Sequence, residues 1–539
     1  MKNKRLPVLL FAFILGSILG YFMFRLLDSG RADGVRSVTA EESGRLPPSI
    51  MPVVLLAGSD YEMGCQYGRQ AGPWLEMRKN DALYGWAGAL SLFTREEIKQ
   101  KLKASQFYIK KYVPEAVTFM QGIADGASEA GCRLTYSDVL LLNSDWRQPM
   151  APGLNLPGSG ERLGGCSNWA AWGDATRDGS LICLSTDDDR FTYQLTVLAY
   201  PETGAHYATT VKAGELARHL AINDSGLSVG LAAAPAERKQ DTAPGLPVSI
   251  AVFRMLRDAA GAEDAENMLR KWEICAKRGQ NFLLADTSGK AYAVEMTASL
   301  RASREPGDFK ERDFIYQTNN FLSERLQPAA RGTTFALSSM SRNRQIFHFL
   351  DTFHGDVDTA FAKMMLRVPG ERVIGSPLSM RQVIGEPRKG PGGALLVCTG
   401  RAAPSPVASV EDNYLIEPTY SFYRMELAGS PQETVDSGIG DAYAALSRAY
   451  VPLRVLDISD VAYAESNRIF SRAAREYYRA LSRSDQGRVA AGRERLDLWA
   501  KALSASARSQ ALANRLCNHL VPPPTSPEAL FSSGMVEEK

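Results

Sequence analysis

Gly164-Gly165-Cys166-Ser167-Asn168-Trp169-Ala170-Ala171-Trp172-Gly173 is the stretch from which the rest of this chain can be read. Two glycines precede a thiol, and the thiol enters a run of strand-forming residues. Arg177-Asp178-Gly179 then turns the chain, and a second run, Leu181–Thr186, returns into Asp187-Asp188-Asp189-Arg190. An Asp-Gly turn between two such runs predicts a β-hairpin over Asn168–Gly173 and Leu181–Thr186. Antiparallel pairing from that turn sets residues near 166 opposite residues near 188, which brings Asp188 beside the start of the first strand. Were the protein to cut its own Gly165–Cys166 bond, Cys166 would become an N-terminus carrying nucleophile and base together. An α-amine has a pKa of about 7.7–8, so it can take the thiol proton near neutrality without a histidine. Asp188 would orient that amine, and Gly165 leaves the scissile carbonyl open to the thiol. Read alone, Cys166 also fits a buried strand cysteine, and Asp187–Asp189 a solvated turn.

Upstream, residues 149–165 are dense in Pro and Gly and read as an exposed turn-rich segment. From Val53 to about Trp146 the pattern is mostly helical, with periodic apolar residues through Phe107–Ile123 and a short helix at Tyr136–Leu142. Downstream the texture is that of strands, at Leu195–Ala199, Tyr207–Val211, Leu220–Asn223, Leu227–Ala232, Phe282–Asp286, Ala291–Glu295 and Ile315–Thr318. Helices interrupt them at Val248–Asp258, Ala262–Trp272, Ser341–Asp351 and Asp358–Leu366. Strand runs separated by paired helices predict layered sheets with helices outside. The chain is helical again from Asp441 to Leu520.

The 539 residues allow a large core, and the net charge of +2 gives no argument for nucleic acid. Seven scattered cysteines without CxxC pairs give no zinc or redox motif, and Asp187–Asp189 match no cation loop, so no metal or cofactor is expected. Lys2, Lys4 and Arg5 precede an apolar run from Leu6 to Phe24, long enough to span a bilayer. This predicts a signal anchor, or a signal peptide, over 1–28, with the rest exported to the periplasmic or extracellular side. The expected organisation is that anchor, a linker over 29–50, a mostly helical segment over 51–165 before the cut, a catalytic core over 166–430, a helical extension over 431–520 and a disordered tail over 521–539.

The run from Cys166 to Gly179 with Asp188 downstream resembles the cysteine N-terminal-nucleophile hydrolases, in the branch of acyl-coenzyme A:6-aminopenicillanic acid acyltransferase. The resemblance runs from about Val53 to Thr399 and includes Glu62-Met-Gly-Cys-Gln-Tyr-Gly68, Ala221-Ile-Asn-Asp-Ser-Gly-Leu-Ser-Val229, Asn281–Asp286 with Val294-Glu295, Gln317–Phe321 and Ser341-Arg-Asn-Arg344. It implies a four-layer αββα sandwich of the α/β (α+β) class, here with an N-terminal membrane anchor and a C-terminal helical extension. It also implies cleavage between Gly165 and Cys166, with the two fragments staying associated. By the resemblance Cys166 is the nucleophile, Asp188 holds its amine, Asn319 or Asn320 donates to the oxyanion, and Arg344 is an active-site arginine. Fixed donors would stabilise the oxyanion of acyl transfer, and a guanidinium near a thiol favours thiolate. The implied substrate is a small acyl amide, or a thioester or ester.

The chain departs from the family pattern in places. Where relatives carry Gly-Arg-Asn-Leu-Asp, it has Leu184-Ser185-Thr186-Asp187-Asp188, so Ser185 replaces the arginine and Thr186 the asparagine. A further oxyanion asparagine is missing near Ala233. These changes leave open a catalytically weak, anchored binding or scaffold protein. Gly226-Leu-Ser228-Val-Gly230 offers a serine-hydrolase elbow at Ser228, but that motif needs a helix directly after its strand, and Pro235, Pro244 and Pro247 leave little room for one.

Overall fold

The computed structural model describes residues 51–84, 95–144, 165–188, 193–236, 244–275, 279–330, 334–368, 374, 379–399, 421–457, 461–524 and 526. The expected anchor (1–28), the linker (29–50), the turn-rich residues 149–164 and the tail beyond Ser526 lie outside them. Among the described residues no helix is long and apolar enough to cross a membrane.

In chain order the strands are β1 (Val53–Gly58), β2 (Asn168–Gly173), β3 (Gly179–Asp188), β4 (Gln194–Pro201), β5 (Tyr207–Lys212), β6 (Ala221–Asn223), β7 (Leu227–Ala233), β8 (Gln280–Asp286), β9 (Ala291–Met296), β10 (Arg301–Arg304), β11 (Phe314–Gln317), β12 (Ser379–Glu386), β13 (Gly393–Thr399) and β14 (Tyr423–Leu427). The helices are α1 (Asp60–Tyr84), α2 (Arg95–Tyr112), α3 (Glu115–Glu129), α4 (Tyr136–Asn143), α5 (Val248–Asp258), α6 (Ala262–Lys271), α7 (Thr334–Thr352), α8 (Thr359–Arg367), α9 (Pro431–Leu453), α10 (Val461–Val489) and α11 (Gly492–Leu520). One sheet runs β1-β4-β5-β6-β7-β8-β9-β10 and the other β11-β2-β3-β12-β13-β14. Among the described residues every strand pair is antiparallel except β1 with β4.

Alternation along the strands sorts side chains into three apolar layers. Leu195, Val197, Val229 and Phe282 of the first sheet pack with Met63, Phe119, Ile123 and Phe253 of the helices outside it. Ala170, Cys183, Val383 and Leu395 of the second sheet meet Leu198, Ala208 and Ile222 of the first. Trp169, Ile182 and Leu184 turn the other way, onto Ile346, Leu350 and Phe361 of α7 and α8. The result is four layers, helix–sheet–sheet–helix.

Local chemistry explains most element limits. Thr135 caps α4 by accepting from the Asp138 N–H, and the Asp138 carboxylate accepts in return from the Thr135 N–H at 2.8 Å. Pro114 splits the periodic stretch Phe107–Ile123 into α2 and α3, since proline offers no N–H to continue a helix. Val53–Gly58 is a strand of the first sheet, so the sheet core begins well upstream of Cys166 and the segment 51–165 is not helical throughout. A short apolar run reads the same for a buried strand and a buried helix, which is why periodicity alone does not separate them. The strands β10, β12, β13 and β14 fall outside the strands expected from the sequence, although Tyr423-Arg-Met-Glu-Leu427 of β14 alternates apolar and charged residues as a half-buried strand does.

Both edges on one side of the sandwich are closed by side chains. The Gln70 side chain brackets Leu55, accepting from its N–H at 2.9 Å and donating to its carbonyl at 3.0 Å. Gln66 brackets Ala57 at 2.8 Å in both directions, and Ser504 of α11 accepts from the Val53 N–H at 3.0 Å. Across the gap Gln510 of α11 brackets Arg424 of β14, and Asn514 donates to the Phe422 carbonyl at 2.8 Å. An open strand edge is a template for aggregation. The C-terminal helix is therefore part of the sandwich and not an appendage.

Candidate active site

The hairpin fixes the site by register. Asn168 pairs with Ser185 and Ala170 with Cys183, and a bulge between Ala171 and Gly173 shifts the pairing by one residue. That shift sets Cys166 level with Asp187 and Gly165 level with Asp188. Cys166 faces the gap between the sheets. The Ser167 N–H donates to Thr186 Oγ1 at 3.0 Å and the Thr186 N–H to the Ser167 carbonyl at 2.9 Å, so the strand start is held firmly.

Gly165 is gripped at both ends of its peptide. Its N–H donates to Asp188 Oδ2 at 2.8 Å, and Ser379 of β12 donates to Asp188 Oδ1 at 2.6 Å. Its carbonyl oxygen, on the bond expected to be cut, accepts from Arg342 Nη1 at 2.6 Å. The same nitrogen reaches the Cys166 carbonyl at 2.5 Å and Ser167 Oγ at 2.9 Å, while Nη2 donates to Asn319 Oδ1 at 3.0 Å. Arg342 is fully buried. Burial lowers its pKa, against the charges of Asp188 and Cys166.

The arginine the fold delivers is therefore Arg342, and the sequence expectation of Arg344 is corrected. Arg344 points to solvent. Residues two apart on a helix face roughly opposite directions. A signal for the choice was present: Ile346 and Leu350, four and eight residues beyond Arg342, are buried apolar residues on the same helix face. Arg344→Ala is expected to leave stability within about 0.5 kcal/mol and self-cleavage unaltered, as checked by thermal unfolding and intact mass.

Of the two tandem asparagines, Asn319 is at the site, joined to Arg342 and donating to the Ala233 carbonyl at 2.7 Å. Asn320 is a structural knot instead. Its side-chain oxygen accepts from Thr318, Ser339 and Asn343, and its carbonyl accepts from Asn281. Ser228 lies inside β7 beside Cys183, with no strand-to-helix turn after it, so it is no nucleophile elbow.

Three residues complete the site that sequence reasoning did not single out. Asp187 Oδ1 lies 4.0 Å from Cys166 Sγ. Its Oδ2 accepts from Arg381 Nη2 at 2.8 Å, and His219 Nε2, from the loop between β5 and β6, stands 3.6 Å from Oδ1. Arg381 pairs with Asp187 across β12 and β3, two residues along from the Val383–Ser185 pair. A guanidinium thus reaches the carboxylate beside the thiol from the neighbouring strand, although the residue at 185 is serine. Nothing local in the sequence marks β12 as the neighbour of β3.

Electrostatics hold this arrangement in a resting state. The Cys166 thiol is pushed up to about 12, by burial first and then by the charges of Asp187 and Asp188, with Arg342 pulling the other way. It is protonated at neutral pH, so the nearby guanidinium does not by itself yield thiolate. Burial pushes the His219 ring down to about 3, with Asp187 opposing and Arg381, Arg218 and Lys212 adding to the fall. The ring is neutral, and its buried Nδ1 has no partner.

Donor atoms of Cys166, Asp187 and His219 lie within 4.8 Å of one another, a spacing that would admit an ion. The surroundings do not fit one. Arg78, Lys212, Arg218, Arg342 and Arg381 outnumber the carboxylates Asp187, Asp188 and Glu215 in the coupled cluster. A metal-binding histidine also normally donates through its second nitrogen, and His219 Nδ1 has no acceptor. The three groups suit proton chemistry.

Residues 176–371 match the profile of the acyl-coenzyme A:6-aminopenicillanic acid acyl-transferase family. The match starts ten residues after Cys166 and includes Asp187, Asp188, His219, Asn319 and Arg342. An uncharacterized protein of Archaeoglobus fulgidus is 26% identical over 249 residues, which are 44% of this chain and 41% of that protein. The chain thus spans about two fifths of that relative's length. Among solved structures, penicillin V acylase from Agrobacterium tumefaciens is similar over 43% of this chain and 83% of its own, with 13% identity and a TM-score of 0.30. A variant of conjugated bile acid hydrolase from Clostridium perfringens is similar over 43% of this chain and 89% of its own, with 12% identity and a TM-score of 0.32.

Proposed function

We propose that this protein is an exported, membrane-anchored N-terminal cysteine hydrolase or acyltransferase that activates itself by cutting Gly165–Cys166. It then cleaves or transfers an acyl group from an amide, thioester or ester through a Cys166 acyl-enzyme. The observation that carries the reading is the grip on Gly165: a carboxylate on its N–H and a buried guanidinium on its carbonyl oxygen, with the thiol of the next residue beside them. A guanidinium at that oxygen is what a tetrahedral intermediate requires, because the charge develops there.

In self-cleavage the Cys166 sulfur attacks the Gly165 carbonyl carbon and negative charge forms on the oxygen held by Arg342. The intermediate collapses by breaking the bond to the Cys166 nitrogen, leaving a thioester and a new amine. Water then hydrolyses the thioester, freeing the Gly165 carboxyl and the thiol. Departure of Gly165 vacates Asp188 Oδ2, the oxygen best placed to receive the new ammonium group. The amine, with a pKa of about 7.7–8, supplies the base that the resting thiol lacks. The same Arg342, with Asn319, then serves the oxyanion of an incoming acyl group. Export and anchoring rest on Lys2, Lys4 and Arg5 before the apolar run 6–24.

Intact mass and N-terminal sequencing of the purified chain test the reading. Two associated fragments, the second beginning at Cys166, are expected, with Cys166→Ala remaining whole. A wild-type chain that stays whole, or an acyl-amide panel turned over equally by Cys166→Ala, would overturn it. Release from membranes by detergent but not by high salt checks the anchor.

A further inference from the structure

Before the cut, the Cys166 nitrogen is an amide and cannot act as a base, so self-cleavage needs a proton acceptor that the mature enzyme does not. We propose that Asp187 is that acceptor: it takes the Cys166 thiol proton and delivers it to the departing Cys166 nitrogen. This rests on the self-cleavage reading above and assigns it a residue.

Geometry selects Asp187 over its neighbours. Its Oδ1 is the carboxylate oxygen on the thiol, at 4.0 Å. The Asp188 oxygens already accept from the Gly165 N–H and from Ser379, and Asp188 lies on the other face of β3. His219 stands beside the same Asp187 oxygen, but protonating its ring would add a cation next to Arg381, Arg218 and Lys212. Arg381, bound to Oδ2, leaves Oδ1 turned to the sulfur. Asp187 also stands where the family pattern carries leucine, so this base belongs to the present chain and not to the pattern at large.

The energetics favour a shared proton. The charge of Asp187 is one cause of the raised thiol pKa, and that penalty vanishes when Asp187 itself receives the proton, since the two groups titrate as a pair. The step balances. The S–H bond breaks as sulfur bonds to the Gly165 carbon, Asp187 carries the proton, and it passes to the Cys166 nitrogen as the C–N bond breaks. Asp187 is a carboxylate again at the end, and no outside reactant enters before the hydrolytic water.

The test compares two rates in the full chain. Fragment formation is followed by intact mass in wild type, Asp187→Asn and Asp187→Glu. A parallel set carries a site-specific protease sequence ending at position 165, so that Cys166 is exposed externally and turnover of an acyl amide can be measured. Asp187→Asn should slow cutting by about 100-fold or more, in the range lost with a general base, and Asp187→Glu should recover part of it. Externally opened Asp187→Asn should lose at least about ten times less in turnover than in cutting, because the amine has taken over as base. Cutting by Asp187→Asn within about three-fold of wild type, against a general-base contribution of 10²–10⁴, overturns the proposal, as do equal losses in both rates, which would mark a merely structural role. A wild-type chain that never cuts overturns the parent reading, and the two failures are thereby distinct.

Discussion

Arg342→Ala is expected to slow self-cleavage by about 100- to 1000-fold, corresponding to about 2.7–4 kcal/mol of lost oxyanion stabilisation. The side chain donates to the scissile carbonyl, to the next carbonyl, to Ser167 and to Asn319 from a fully buried position. Truncation leaves all four acceptors without that donor. It also removes the only charge among these contacts that can meet negative charge on the Gly165 oxygen. Arg342→Lys should fall between wild type and alanine, because an ammonium is a point charge and cannot reproduce the forked contacts to Gly165 and Asn319 at once. The rate at which the fragment beginning at Cys166 forms is the measurement. Arg342→Ala cutting at the wild-type rate would show that the guanidinium only ties the strand to α7.

The second large effect is on stability. Gly126→Ala should cost about 3 kcal/mol or more, at the upper end of overpacking effects. A Cβ on Gly126 would lie 2.0 Å from the Cys65 carbonyl oxygen, and one on Gly68 would lie 2.2 Å from that of Ile123. These atoms are backbone on both sides, so no side chain can swing away and α1 and α3 must separate. The consequence reaches the sheet, because Gln66 and Gln70 on α1 bracket the free edge of β1. Denaturant unfolding should show a clearly lowered midpoint, with an unchanged slope if unfolding remains two-state. A midpoint equal to wild type would mean that the helix pair opens at little cost.

Much of the site's layout is local and so was legible before the fold. The Asp-Gly turn and the two apolar runs around it specify a hairpin, and a hairpin brings the Asp187-Asp188 pair to Cys166. What the turn alone does not supply is the bulge at Ala171/Gly173, and the register it sets decides which aspartate meets the thiol. Asp188 was expected beside the Cys166 amine; it holds Gly165, and Asp187 takes the place beside the sulfur. The helix Val248–Asp258 and the strand runs from 195 to 317 follow from periodicity, as a face that must be buried repeats at the spacing of its element.

The sequence by itself determined the hairpin, the glycine before the thiol, the carboxylates opposite and most of the layered strand and helix order. These depend on residues near one another in the chain, where spacing and turn chemistry act directly. Tertiary structure alone decided that Asn319 and not Asn320 joins the site, and that Arg381 and His219 converge on Asp187 from a neighbouring strand and the loop between β5 and β6. Those choices depend on strand order and on the stacking of two sheets. Both are set by burial of apolar faces across the whole chain, and no short stretch of sequence encodes them.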